Sequence, residues 1–208
     1  MIDVYWALFL ISSTLVIATP GQDMLLVMSR SITQGTRAGL LTAAGVSVGL
    51  VGHTVLATLG LGALLRASEL AFTVLKLVSA AYLVYLGVQL LRVRSTNLVS
   101  NLEQEQSTLR LFLSGAASNI ANPKIAIFYF AFLPQFVVPG ARYPTFAILV
   151  LGLVFAVITF FVKGPVALFA GRLSSWLRQR PAVLTWLFRC SGLLLLALAL
   201  RLAMSRRD

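Results

Sequence analysis

Two short interruptions carry the residues in this chain that could do chemistry. The first, Ala18-Thr19-Pro20-Gly21-Gln22-Asp23, breaks a stretch that is otherwise apolar from Val4 to Met28. Proline removes a backbone donor and clashes with the preceding turn, and glycine accommodates the broken geometry. A helix opened in this way offers N–H groups that attract anions at one end and carbonyl groups that attract cations at the other. Asp23 adds a carboxylate where a charge costs at least ~2.5–3.5 kcal/mol by insertion scales, which makes it a functional residue by default. It is also the leading candidate to carry a proton. His53, the one histidine, ranks below it, because a lone buried histidine is ordinarily a hydrogen-bonded packing residue. The second interruption is Asn119-Ile120-Ala121-Asn122-Pro123-Lys124. Ser114, Gly115, Ser118, Asn119 and Asn122 crowd one side of the helix before it. A kinked helix satisfied by its own Asn side chains would account for this. The coincidence of two amides, a proline and a lysine well inside an apolar run argues for more.

The elements that must position these residues are membrane helices. The 208 residues are 59% hydrophobic and 11% charged, far from the ~25% charged of ordinary soluble domains. Crossing ~30 Å of hydrocarbon takes about 20 helical residues. Six runs qualify, at residues 4–28, 39–65, 70–91, 109–138, 143–170 and 183–204. The expected architecture is therefore an all-α integral membrane protein with six transmembrane helices in a single transmembrane domain. Pro20 and Pro123 stand about half the chain apart, and three runs per half make the halves inverted. Two inverted three-helix repeats with broken first and fourth helices, about 1–92 and 109–208 around a loop at 93–108, can bring both breaks to one depth.

The net charge of +11 reflects Arg residues in short connectors, a positive-inside and headgroup-facing pattern, and no nucleic-acid partner is expected. Arg30, Arg37, Arg92, Arg94, Arg110, Arg172, Arg178 and Arg180 place the odd connections in the cytoplasm and both termini outside, with Arg201, Arg206 and Arg207 counting against. No basic segment precedes the first run, so it is read as a retained span. Cys190 is the only cysteine, which rules out an internal disulfide and CxxC redox chemistry.

Within the runs, Gly45, Gly49 and Gly52 line one face with His53, a small-residue face suited to close helix packing. Ser79, Tyr82, Tyr85 and Gln89 share another face, with Tyr85 and Gln89 read as interhelical hydrogen-bonding groups. Phe128 to Phe136 reads as an aromatic exit toward the opposite interface. Lys163-Gly164-Pro165 reads as a kink with a snorkelling lysine. The sixth run, with Trp186 and Arg189 near one end, reads as packing and anchoring.

Thr19-Pro20-Gly21-Gln22-Asp23, the Gly35-x3-Gly39 and Ala44-Gly45-x3-Gly49 spacings, Leu75-Lys76-x4-Ala81-Tyr82-Leu83-x3-Gly87 and Asn119-x2-Asn122-Pro123-Lys124 with Phe132-Leu133-Pro134-Gln135-Phe136 together resemble the LysE/RhtB family of bacterial amino-acid exporters, its homoserine/threonine branch above all. Gln22 departs from that branch, which usually has a second proline there. The resemblance implies a multi-pass protein of the cell inner membrane that exports small neutral amino acids such as threonine, homoserine, leucine or analogues by proton antiport. It implies a transporter and not an enzyme. Neither a cofactor nor a bound metal is expected, and the partners are the amino acid, protons and the lipid bilayer, a homodimer being compatible with all of these. For such a substrate the candidate binding residues are Thr19, Pro20, Gly21, Asp23, Asn119, Asn122, Pro123, Lys124 and Tyr82, with Asp23 and His53 for proton coupling. Asp23 would take the substrate ammonium, and Lys124 or the Asn119 and Asn122 amides the carboxylate. Equally, Asp23 and Lys124 would neutralise each other in the empty protein. Export of an inorganic cation fits poorly with so few His, Cys and carboxylate ligands, and an integral-membrane lipid enzyme lacks any acid–base cluster to support it.

Overall fold

In the computed structural model, residues 3–19, 21–67, 69–92, 107–170, 172, 176 and 180–204 are described. Their elements are α1 (Trp6–Ala18), α2 (Gln22–Gln34), α3 (Thr36–Ala67), α4 (Glu69–Arg92), α5 (Thr108–Ile120), α6 (Pro123–Phe132), a 3-10 turn (Leu133–Phe136), α7 (Pro144–Leu168) and α8 (Pro181–Met204). Apart from an isolated antiparallel bridge between Val4 and Val137, the described secondary structure is helical.

By length and composition, Thr36–Gly60 in α3 and Pro144–Leu168, the whole of α7, are each apolar enough to cross a membrane over 25 residues. The pair α1 and α2, bent by 54°, passes as a third, broken span. Two of the six expected runs thus meet the length test among the described residues, and three when the bent α1–α2 pair is taken as one span. The third and sixth runs fall on α4 and α8, and the fourth is divided between α5 and α6.

Small residues set how these helices meet. In lipid there is little hydrophobic gain between apolar helices, so close van der Waals contact must supply the attraction. A Cβ on Gly45 of α3 would collide with the Phe112 carbonyl oxygen of α5, and one on Gly115 of α5 would lie 2.5 Å from the Thr42 oxygen of α3. Gly49 likewise leaves room for Ala116 and Asn119. The glycine face of α3 is therefore a packing face, and it seats α5 so closely that Asn119 lies beneath it. Gly87 of α4 and Gly192 of α8 do the same for each other, each standing where a Cβ would press on the other's carbonyl. Gly35, at φ 86°, makes the turn between α2 and α3 that a residue with a Cβ would resist.

The aromatic stretch is part of the core. Phe128, Phe132 and Phe136 recur every four residues, which puts them on one face. Their ring centroids are 4.6 and 4.7 Å apart in succession, and Phe9 of α1 closes the row 5.2 Å from Phe136. Phe132, Leu133 and Phe136 are fully buried. This row holds α1, α6 and α7 together on one side of the two breaks.

Candidate functional site

Both breaks survive in the fold, and they meet. α1 ends at Ala18 and α2 begins at Gln22; α5 ends at Ile120 and α6 begins at Pro123. Asn119 Nδ2 donates to Asp23 Oδ2 at 2.8 Å, and Asn122 Nδ2 donates to Gln22 Oε1 at 3.3 Å. A cation joins from α7, where Lys163 Nζ donates to the same Asp23 Oδ2 at 3.3 Å. The Asp23 and Lys163 side chains are 13% and 7% exposed, so water screens this pair little. Asp23 Oδ1 is buried and has no hydrogen-bond partner among the described residues.

The last turn of α1 is braced by hydroxyls on the Leu15 carbonyl, which also accepts from the Thr19 N–H at 3.2 Å. Thr19 Oγ1 donates to the Leu15 carbonyl at 2.9 Å, and Ser191 Oγ of α8 reaches the same carbonyl at 3.2 Å, the two hydroxyls also touching each other. On the far side, His53 Nε2 lies 2.9 Å from the Asn119 carbonyl. A carbonyl only accepts, so the hydrogen sits on Nε2; Nδ1 is buried without a partner among the described residues. His53 thus holds the last turn of α5, and through it the Asn119 amide on Asp23.

Between the breaks lies a cavity of about 270 Å³. Its polar lining comes from Thr19, Gly21, Gln22, Asp23, Asn122, Thr159, Lys163 and Ser191, and its apolar walls include Leu50, Leu86, Phe128 and Phe155. The first turn of α2 lines it, so a partly positive helix N-terminus, a carboxylate and a lysine share one space.

Residues 14–206 match the family described as LysE type translocator. The chain belongs to the LysE family. Among curated relatives of this LysE protein, the homoserine/homoserine lactone efflux protein of Salmonella typhimurium is 36% identical over 97% of each chain, and that of Salmonella typhi 35% over the same share. A leucine efflux protein from Klebsiella pneumoniae is 26% identical over 94% of this chain and 92% of its own. No solved structure matches. With an uncharacterized membrane protein of Vibrio cholerae also 32% identical over 97% of each chain, this LysE chain is a multi-pass membrane transport protein.

Of the residues singled out from the sequence, Thr19, Gly21, Asp23 and Asn122 line the cavity, and Asn119 grips Asp23 from behind. His53 stands one hydrogen bond further back. Tyr82 on α4 is half-buried, stacked 6.2 Å from Tyr85, and is not among the lining residues. Tyr85 is 58% exposed. Pro20 and the side chains of Ser79, Pro123 and Lys124 lie outside the described residues. The structure corrects the reading of Lys163: instead of snorkelling at the end of its run, it is 5% exposed and points its charge at Asp23. The physical reason is that α7 stays one helix through Pro165 and packs against α2 and α3, which turns Lys163 inward. The rule that singled out Asp23, an ionisable group flanked by apolar residues, applied equally to Lys163 and would have found it. Ser191 carried no such signal, since a lone serine in an apolar run is common.

Proposed function

We propose that this protein exports small neutral amino acids, threonine, homoserine, leucine or close analogues, across the inner membrane in exchange for protons. The observation that carries the reading is Asp23 at the first break, a half-buried carboxylate whose Oδ1 has no partner among the described residues, beside a cavity of amino-acid scale. The named activities of the homoserine and leucine efflux relatives support the substrate class. In this reading the chain crosses six times, as two inverted repeats made of α1–α4 and α5–α8, with the cavity at their meeting point. Thr19, Gly21, Asp23, Asn119 and Asn122 form the binding site, together with the neighbouring Pro20, Pro123 and Lys124.

Exchange follows from competition. Asp23 holds either a proton or the substrate's ammonium, so arrival of one on either side displaces the other. Leaving with a proton inward and with substrate outward, the carboxylate need never cross empty. One proton moving down ~150 mV supplies about 3.5 kcal/mol, enough to sustain a gradient of a few hundredfold.

The test is efflux of labelled threonine, homoserine and leucine from proteoliposomes, with and without an imposed proton gradient, for the wild type and Asp23→Asn. The expected result is gradient-driven efflux that the variant loses while still inserting. Efflux indifferent to the gradient, or retained by Asp23→Asn, overturns the coupling; absence of flux for all three overturns the substrate class.

A further inference from the structure

A hydroxyl in an apolar helix ordinarily donates to its own backbone. Thr42, Thr54 and Thr159 each donate to the carbonyl four residues back, at 2.8 Å in every case. Thr19 does the same toward Leu15, and there a second hydroxyl arrives from another helix, Ser191 Oγ of α8. The Thr19 N–H reaches that carbonyl as well. Three donors therefore converge on an oxygen with two lone pairs. The N–H and one hydroxyl fill it, so one of the two hydroxyl hydrogens is surplus.

Burial decides which. Both residues line the cavity, but Ser191 is fully buried and Thr19 only half-buried, so the Thr19 hydroxyl is the one a ligand can reach. With Ser191 on the Leu15 carbonyl, that hydroxyl can rotate toward the cavity at no loss to the backbone. There it can accept from a hydroxyl or donate to an oxygen that only accepts, such as the ring oxygen of a lactone. Resting on the amino-acid export reading above, we propose that Thr19 reads an oxygen in the substrate's side chain, and that Ser191 is the positioning residue that releases it to do so. In that reading Asp23, across the first break and on the same cavity, holds the ammonium. The walls at Leu50, Leu86, Phe128 and Phe155 cannot hydrogen-bond a side-chain oxygen, and alone they would favour a methyl group. A hydroxyl adds no charge, so the selection acts on zwitterions and on amines without a carboxylate alike, whether Asp23 exchanges its ligand for a proton or not. With an apolar substrate the Thr19 hydroxyl falls back on Leu15 and is not left unpaired, so the result is a preference and not an exclusion.

The experiment measures binding and counterflow of homoserine and norvaline in proteoliposomes of the full chain, for the wild type, Thr19→Val, Thr19→Ser and Ser191→Ala. The two amino acids have the same shape and differ by a terminal hydroxyl in place of a methyl. The wild type is expected to favour homoserine about tenfold, the scale of one neutral hydrogen bond. Thr19→Val, which keeps the shape and loses the hydroxyl, is expected to reverse the preference toward norvaline, and Thr19→Ser to keep it. Ser191→Ala, which ties the Thr19 hydroxyl to Leu15, is expected to lower the homoserine-to-norvaline ratio at least about threefold. Hydroxyls that only brace α1 predict instead that Thr19→Val and Ser191→Ala weaken both amino acids alike. An unchanged ratio in Thr19→Val overturns the proposal, and an unchanged ratio in Ser191→Ala overturns the role of Ser191. Should Thr19→Val fail to insert, the wild type decides: norvaline bound as tightly as homoserine overturns it. A wild type that moves both without preference sinks this inference alone, whereas one that binds and moves neither sinks the export reading with it.

Discussion

The two breaks are made of similar residues but do different things. At the first, the chain leaves helical geometry: Thr19 has ψ 123° and Gly21 is extended at φ −125°, ψ −171°. At the second, Ala121 stays helical at φ −73°, ψ −5°, its N–H still reaches the Ala117 carbonyl, and Asn122 N–H reaches the Asn119 carbonyl at 3.0 Å. Pro123 then occupies the first position of α6, where a missing N–H is tolerated. The first break opens backbone to the cavity and brings the charge. The second is nearly continuous, stays neutral among its described side chains, and contributes amides that hold the first in place. An opened helix needs a partner surface to satisfy it, and the less disturbed break is better suited to supply one.

The sharpest way to break this contrast is at the charge. Asp23→Asn leaves Lys163 buried without its anion, and removing one partner of such a pair costs about 3–5 kcal/mol. We expect both loss of gradient-driven efflux and a lower thermal midpoint in detergent; a variant as stable as wild type would show that the pair is not formed. Next is the amide beneath it. Asn119→Ala removes a hydrogen bond to a charged group, worth about 1.5–3 kcal/mol, and should reduce threonine affinity roughly tenfold or more without preventing insertion. His53→Gln, which keeps a donor for the Asn119 carbonyl, should behave far better than His53→Ala in the same assay if histidine acts by position. Equal loss in both would return His53 to a proton-carrying role.

Smaller effects sharpen the comparison. Thr19→Val takes one donor from the Leu15 carbonyl but leaves both the Thr19 N–H and Ser191, so a loss of no more than about 1 kcal/mol in stability is expected. Gly21→Ala should be the mildest for folding. Its backbone is extended and an added Cβ would meet nothing within 4 Å, so any effect should fall on transport of the larger substrates, read as a leucine-to-threonine rate ratio. A stability loss at Gly21 matching that at Gly45, where a Cβ meets a carbonyl, would contradict the open geometry of the first break.

Much of this was legible in the chain itself. Apolar length marked α3 and α7, and Pro20 and Pro123 marked the breaks to within a residue or two, because a missing donor and a ring clash act locally. The glycines of α3 were recognisable as a packing face from their helical spacing. Lys163 was misread because its place near the end of an apolar run suits snorkelling as well as burial, and nothing local separates the two. The core packing of Phe128 to Phe136 was not legible, because aromatic residues serve interfaces and cores alike.

The sequence by itself determined that this is a membrane protein of apolar helices, broken twice, with a carboxylate at the first break: composition, run length and proline chemistry act within a turn or two of the residue that carries them. Only the tertiary structure showed that Lys163 pairs with Asp23. Lys163 lies 140 positions away and Ser191 stands 172 from Thr19, separations over which no local pattern constrains a pairing. Those partners are chosen by how closely Gly45, Gly49, Gly115, Gly87 and Gly192 let the helices approach, and hence by which faces of α5, α7 and α8 turn toward the breaks.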